Sequence, residues 1–173
     1  MDRSKTIVAA LAALMLGAGP ALADAKPAAP AKANHGFEKM KSLAGEWRGT
    51  TKEGMSVRVT FVLTADGSAL MERLEPGTES PMVTMYHPDG SRVMMTHYCA
   101  SHNQPRMRAE ASDADPKTIA FNFVDITNLA SPDDAHMRHL VVGFNDKDHF
   151  TQEWTYKTKD EESVEVFRYE RKK

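Results

Sequence analysis

Cysteine is almost missing from this chain: Cys99 is the only one among 173 residues. No internal disulfide can form, so the fold must be held by packing. An excess of positive charge is missing too. Twenty-two Lys and Arg stand against 24 Asp and Glu, for a formal charge of −2. No basic stripe with interleaved aromatics occurs, which argues against a nucleic-acid partner. After residue 23 no apolar run approaches the roughly 20 residues of a membrane-spanning helix. From residue 46 onward helical periodicity is also wanting, which excludes the βαβ units of a parallel sheet.

What is present begins with an export signal. Arg3 and Lys5 form a short basic region, and "TIVAALAALMLGAG" is apolar but short. Small residues at Ala21 and Ala23 then predict cleavage before Asp24. The expectation is a signal peptide over 1–23 and a periplasmic or extracellular mature protein. Loss of Asp2, Arg3 and Lys5 would shift the net charge by one, to about −3. "DAKPAAPAKAN" (24–34) is rich in Ala, Pro and Lys and reads as a flexible linker. The remaining 35–173 is long enough for one core.

Phe37, Met40 and Leu43 recur every three residues in "HGFEKMKSLAG", which predicts one short helix stopped near Gly45. Alternation with period two then takes over. "SVRVTFVLT" puts Val57, Val59, Phe61 and Leu63 on one face. "ADGS" and "PDGS" are hairpin signals. In all, 8–10 strands of six to nine residues follow one another through mostly short turns. The fold predicted is all-β, an antiparallel up-and-down meander closed into a barrel, with a two-layer sandwich as the alternative.

Residues Gly45 and Trp47 in "LAGEWRGT" sit at the start of the first strand, after a helical turn. That arrangement resembles the lipocalins and their calycin relatives. The resemblance implies that Trp47 lies across the closed end of a barrel, with an Arg from the last strand stacked on it. Arg168, on the face of Val164 and Val166, is the residue expected there, in a cation–π contact. "LAGEWRG", "MVTMYHPDGSRVMMTHYCASHNQPRM", "DAHMRHLVVGF" and "QEWTY" together resemble a family of secreted, lipocalin-like bacterial proteins of unknown function. That likeness covers most of residues 37–171 and implies no particular activity.

The stretch "MMTHYCASHNQPRM" (94–107) carries the richest chemistry. On a strand, Val93, Met95, His97 and Cys99 share one face. His97 and Cys99, joined by His102 from the following turn, are a candidate site for zinc or copper. The blander reading is a buried thiol beside a hydrogen-bonded His. Thiol catalysis would need an activating base and an oxyanion-binding loop, and no such loop or Gly-x-Ser-x-Gly elbow is present. His136 and His139 are three apart and face opposite ways on a strand. His139 is a candidate haem ligand inside the barrel, or else a hydrogen-bonded core residue.

Met82, Met85, Met94, Met95, Met107 and Met137 all fall on predicted strands. They suit either an adaptable ligand pocket or a packed core. Arg106 and Arg108 share a strand face; turned inward they would hold an anionic head group, turned outward they are solvated charge. Asp133 and Asp134 offer only a weak calcium site. The candidate ligand-binding set is therefore Met85, Met95, His97, Cys99, Arg106, Arg108 and His139. The function expected is the binding of a small apolar or amphipathic molecule by a monomer. A metal or haem protein, or an enzyme, centred on His97, Cys99, His102 or His139 is the alternative, and a fully packed interaction module the third.

Overall fold

The computed structural model describes residues 34–77 and 79–173. The expected signal peptide and all of the expected linker but Asn34 lie outside the described residues. One helix, α1 (His35–Lys41), precedes ten strands. They are β1 (Gly45–Thr50), β2 (Ser56–Thr64), β3 (Ala69–Pro76), β4 (Met82–Asp89), β5 (Arg92–Tyr98), β6 (Gln104–Ala109), β7 (Thr118–Thr127), β8 (His136–Phe144), β9 (His149–Lys157) and β10 (Glu162–Arg171). Each strand pairs antiparallel with its sequence neighbours, and β1 also pairs with β10, so the sheet is a closed barrel. Closure removes the open edges that a meander would otherwise present.

Alternation sets the inside of the ring. Val57, Val59 and Phe61 of β2, Leu70 and Leu74 of β3, Val93 and Met95 of β5, and Leu140, Val142 and Phe144 of β8 are all buried. Ala65 and Asp66 both take positive φ, 50° and 53°, in the β2–β3 turn. Gly67 follows them at φ 77°, and this run of left-handed residues reverses the chain within the four-residue loop between Thr64 and Ala69.

Asn34 belongs to the folded part rather than to the linker. Its Oδ1 accepts from the Phe37 amide at 2.8 Å, which caps α1. Its Nδ2 donates to the carbonyls of Gly90 and Arg92 at 3.0 and 2.6 Å, tying the helix to the β4–β5 hairpin. Phe37, Met40 and Leu43 are buried as their spacing predicts. The helix ends at Ser42, before Gly45, and Gly45 (φ 129°) instead opens β1.

Beneath α1 one end of the barrel is closed by Trp47. Its indole Nε1 donates to the Leu43 carbonyl at 2.7 Å, and its ring meets Phe150 edge-on at 4.7 Å. The cation on the ring is Arg171, at 3.9 Å, and not Arg168. Arg171 also donates to the carbonyls of Ala44 and Ser42, both at 2.9 Å, and of Lys147 at 3.1 Å. The expectation of Arg168 fails on parity. Inside-facing positions of β10 are Phe167, Tyr169 and Arg171, while Val164 and Arg168 are exposed on the outer face. The large aromatics, not the valines, mark the core side of this strand.

Candidate functional site

Mid-barrel, the inward face stops being apolar. β3 reads Leu70, Glu72, Leu74 on its core side, and Glu72 is completely buried. Tyr86 of β4 donates to Glu72 Oε2 at 2.5 Å. Gln152 of β9 donates from Nε2 to Glu72 Oε1 at 2.9 Å. β3 and β9 stand on nearly opposite sides of the ring, so this hydrogen-bonded bridge crosses the lumen. Thr84 pairs directly with Glu72 on one side and with His97 on the other. Its hydroxyl shares a hydrogen bond of 2.9 Å with His97 Nδ1. The His97 ring packs on Trp154 of β9, with centroids 4.7 Å apart. A continuous polar band therefore runs β3–β4–β5 along one wall and meets β9 on the other.

Four buried polar atoms of this band have no hydrogen-bond partner among the described residues: His97 Nε2, Gln152 Oε1, Trp154 Nε1 and Tyr169 Oη. Native interiors pair nearly all such groups, and each unpaired one costs about 1–3 kcal/mol. The electrostatics are as unusual. Burial raises the Glu72 carboxyl to about 7, against the opposing effect of the bonds from Tyr86 and Gln152. Burial lowers His97 to about 4, so at neutral pH its ring is uncharged. Burial, with the Glu72 charge adding to it, pushes Tyr169 well above its ordinary value. No Lys or Arg is among the buried polar residues, and Glu72 has no ion-pair partner among the described residues.

The residues singled out from the sequence divide between the two faces. Met95 and His97 are buried inside, and Met95 pairs with Met107. Met85 faces outward, because its neighbours Thr84 and Tyr86 take the inside positions of β4. Met94 is likewise on the outer side of β5, so the methionines do not line a common cavity. Arg106 and Arg108 lie outside, since Pro105, Met107 and Ala109 are the inward residues of β6. Arg106 forms a two-pronged ion pair with Asp125 on the neighbouring strand, and Arg108 lies 3.6 Å from Glu110. Neither is placed to hold a ligand in the lumen.

His139 pairs with exposed Asn122 and sits on the outer face, in a depression with Thr155 and Glu162. It cannot serve as an axial ligand within the barrel. His136 shares the parity of the buried Leu140, Val142 and Phe144 and is itself buried, against Phe123. Nor do His97, Cys99 and His102 converge. Among the described residues no three His, Cys, Asp or Glu side chains form a metal-ligating group. Cys99 lies just past β5 in a turn closed by the His102 amide on the Cys99 carbonyl (3.0 Å), and it is half-buried rather than buried. His102 has φ 63°, which turns the chain toward β6. Two surface depressions, of about 640 and 660 Å³, lie around Arg48 and do not reach Glu72 or Trp154.

Glu72, Tyr86, Gln152, Trp154 and Tyr169 escaped the reading of the sequence. A signal was there: in "ALMERLE" a Glu stands between two Leu at spacing two, on a strand whose other face carries Met71 and Arg73. No protein-family model matches this chain, and no curated protein matches it.

Proposed function

We propose that the chain is an exported, lipocalin-like binding protein that holds one compact amphipathic molecule inside the barrel, acting as a monomer. The observation that carries this reading is the set of four unpartnered buried polar atoms on one inward-facing band, together with a buried Glu72 that has no ion-pair partner among the described residues. A barrel that served only as a packed scaffold would gain stability by replacing these residues with apolar ones. The aromatic faces of Tyr86, Phe121 and Trp154 supply the apolar side of the site. Small barrels hold single ligands in this way, and polar groups placed within an apolar lining set their orientation.

The reading is tested by native mass spectrometry of the chain exported from a bacterial host. A mass increment that is lost on denaturation is expected. Bare polypeptide mass, together with Trp154 fluorescence that does not respond to a small-molecule extract of the exporting compartment, would overturn it.

A further inference from the structure

Resting on the reading that the lumen holds a ligand, we propose that Glu72 receives the cationic end of a compact protonated amine, whose acceptor end faces Trp154 and His97. The groups facing Glu72 are Tyr86 from β4, Gln152 from β9 and, through its field, Tyr169 from β10. Thr84 and, beyond it, His97 complete that side of the band. None is a cation: His97 is neutral, and Arg171 is committed at the closed end to Trp47. A buried carboxylate with no countercharge favours a positively charged guest.

The unpaired atoms agree with that guest. Gln152 Oε1 is an acceptor without a donor, and its partner Nε2 already binds Glu72. The Tyr169 oxygen can accept as well. An ammonium group supplies three donors, enough for Glu72, Gln152 and Tyr169 together. Aromatic faces around the site add cation–π attraction. Trp154 Nε1, by contrast, can only donate, so the same guest must present an acceptor there. Gln152 and Trp154 are two positions apart on one strand, about 6.5 Å. Both are inward-facing on that strand, so a short guest with a donor at one end and an acceptor at the other can address both. An anionic guest would meet Glu72 with no buried Lys or Arg among the described residues to offset the repulsion, and a wholly apolar guest would leave all four atoms unpaired.

Ethanolamine is the probe and ethylene glycol its uncharged counterpart. The chain has two tryptophans, so the indole N–H NMR signal of Trp154, assigned with Trp154→Phe, reports on the lumen of the wild-type protein. At pH 8 ethanolamine is expected to shift that signal and to bind at least about tenfold more tightly than ethylene glycol. Its affinity is expected to weaken as pH falls through about 7, where Glu72 takes up its proton. Glu72→Gln, checked for an intact fold by near-ultraviolet circular dichroism, should remove both the preference and the pH dependence. Equal binding of the two probes, or a Glu72→Gln variant that still prefers ethanolamine, overturns the amine assignment and leaves a ligand-holding lumen standing. If neither probe moves the Trp154 signal, the amine assignment also falls, and co-purification in native mass spectrometry decides the broader reading on its own.

Discussion

The two ends of Phe150's neighbourhood obey opposite rules. Toward α1, the polar groups around Trp47 are partnered: the Trp47 indole bonds the Leu43 carbonyl, and Arg171 covers the ring while satisfying three carbonyls. Two residues further along β9, at Gln152 and Trp154, polar atoms are equally buried and go unpaired. The same strand thus carries a region built for stability and a region that gives stability up. Such a contrast within one core is what separates a plug from a site.

The contrast can be broken at several points. Trp47→Ala should have the largest effect, a loss of about 3–5 kcal/mol in urea denaturation, because it removes a large, well-packed aromatic. The polar band should respond to pH instead. Glu72 has a raised folded pKa of about 7, so its contribution is full below the unfolded value and is lost as pH rises through 7. His97 has a lowered folded pKa of about 4, so its contribution is present above the unfolded value and is lost as pH falls toward 4. Each amounts to about 3 kcal/mol, and in the overlapping window they oppose one another. Glu72→Gln should therefore gain stability relative to wild type as pH rises from about 4.5 to 7, and His97→Gln should gain it as pH falls from about 6.5 to 4. Denaturant midpoints across that range measure both; parallel profiles for wild type and variants would show that neither group is buried as described.

Smaller differences sharpen the assignment of the closed end. Arg171→Met should cost about 2 kcal/mol, through the lost ring contact and hydrogen bonds. Arg168→Met, on the exposed face, should stay within about 0.5 kcal/mol. Equal costs would remove the distinction between them. Cys99→Ser should be the smallest, under about 0.5 kcal/mol, because the half-buried thiol lies in a turn outside the core.

Much of the architecture was legible in the sequence. The switch to period two after Gly45, the paired turn signals and the Phe37–Met40–Leu43 spacing lead to one helix and 8–10 strands, and the barrel has ten. The interior was harder to read because alternation fixes which residues share a face, not which face is inside. Val164 and Val166 suggested the wrong side of β10. On β4, apolar residues at both parities, Val83 and Met85 on one and Tyr86 on the other, hid the inward set. The register shift between Arg106 and Met107 sets Ile126 rather than Asp125 opposite inward-facing Pro105, off a simple count from Phe121 and Phe123. On β8 the buried residues keep one parity, and only the choice of face was open. The candidate site was missed for a further reason. The motif around Cys99 is local in sequence, whereas the polar band is assembled from β3, β4, β5, β9 and β10 by closure of the ring.

That closure also governs how the molecule must be made. Only four residue pairs join β1 to β10, from Trp47↔Arg171 to Thr50↔Arg168, and the partners are more than a hundred residues apart in the chain. At Gly49 the strands come so close that a Cβ would stand 2.4 Å from the Arg168 carbonyl oxygen, so the seam tolerates no larger residue there without shifting. Such distant pairing is slow, on the order of milliseconds to seconds. Until the last strand arrives, the first has a free row of amides and carbonyls, and a second copy of the chain can occupy it. The narrow seam that finishes the ring is thus also the place where a crowded folding reaction would go astray.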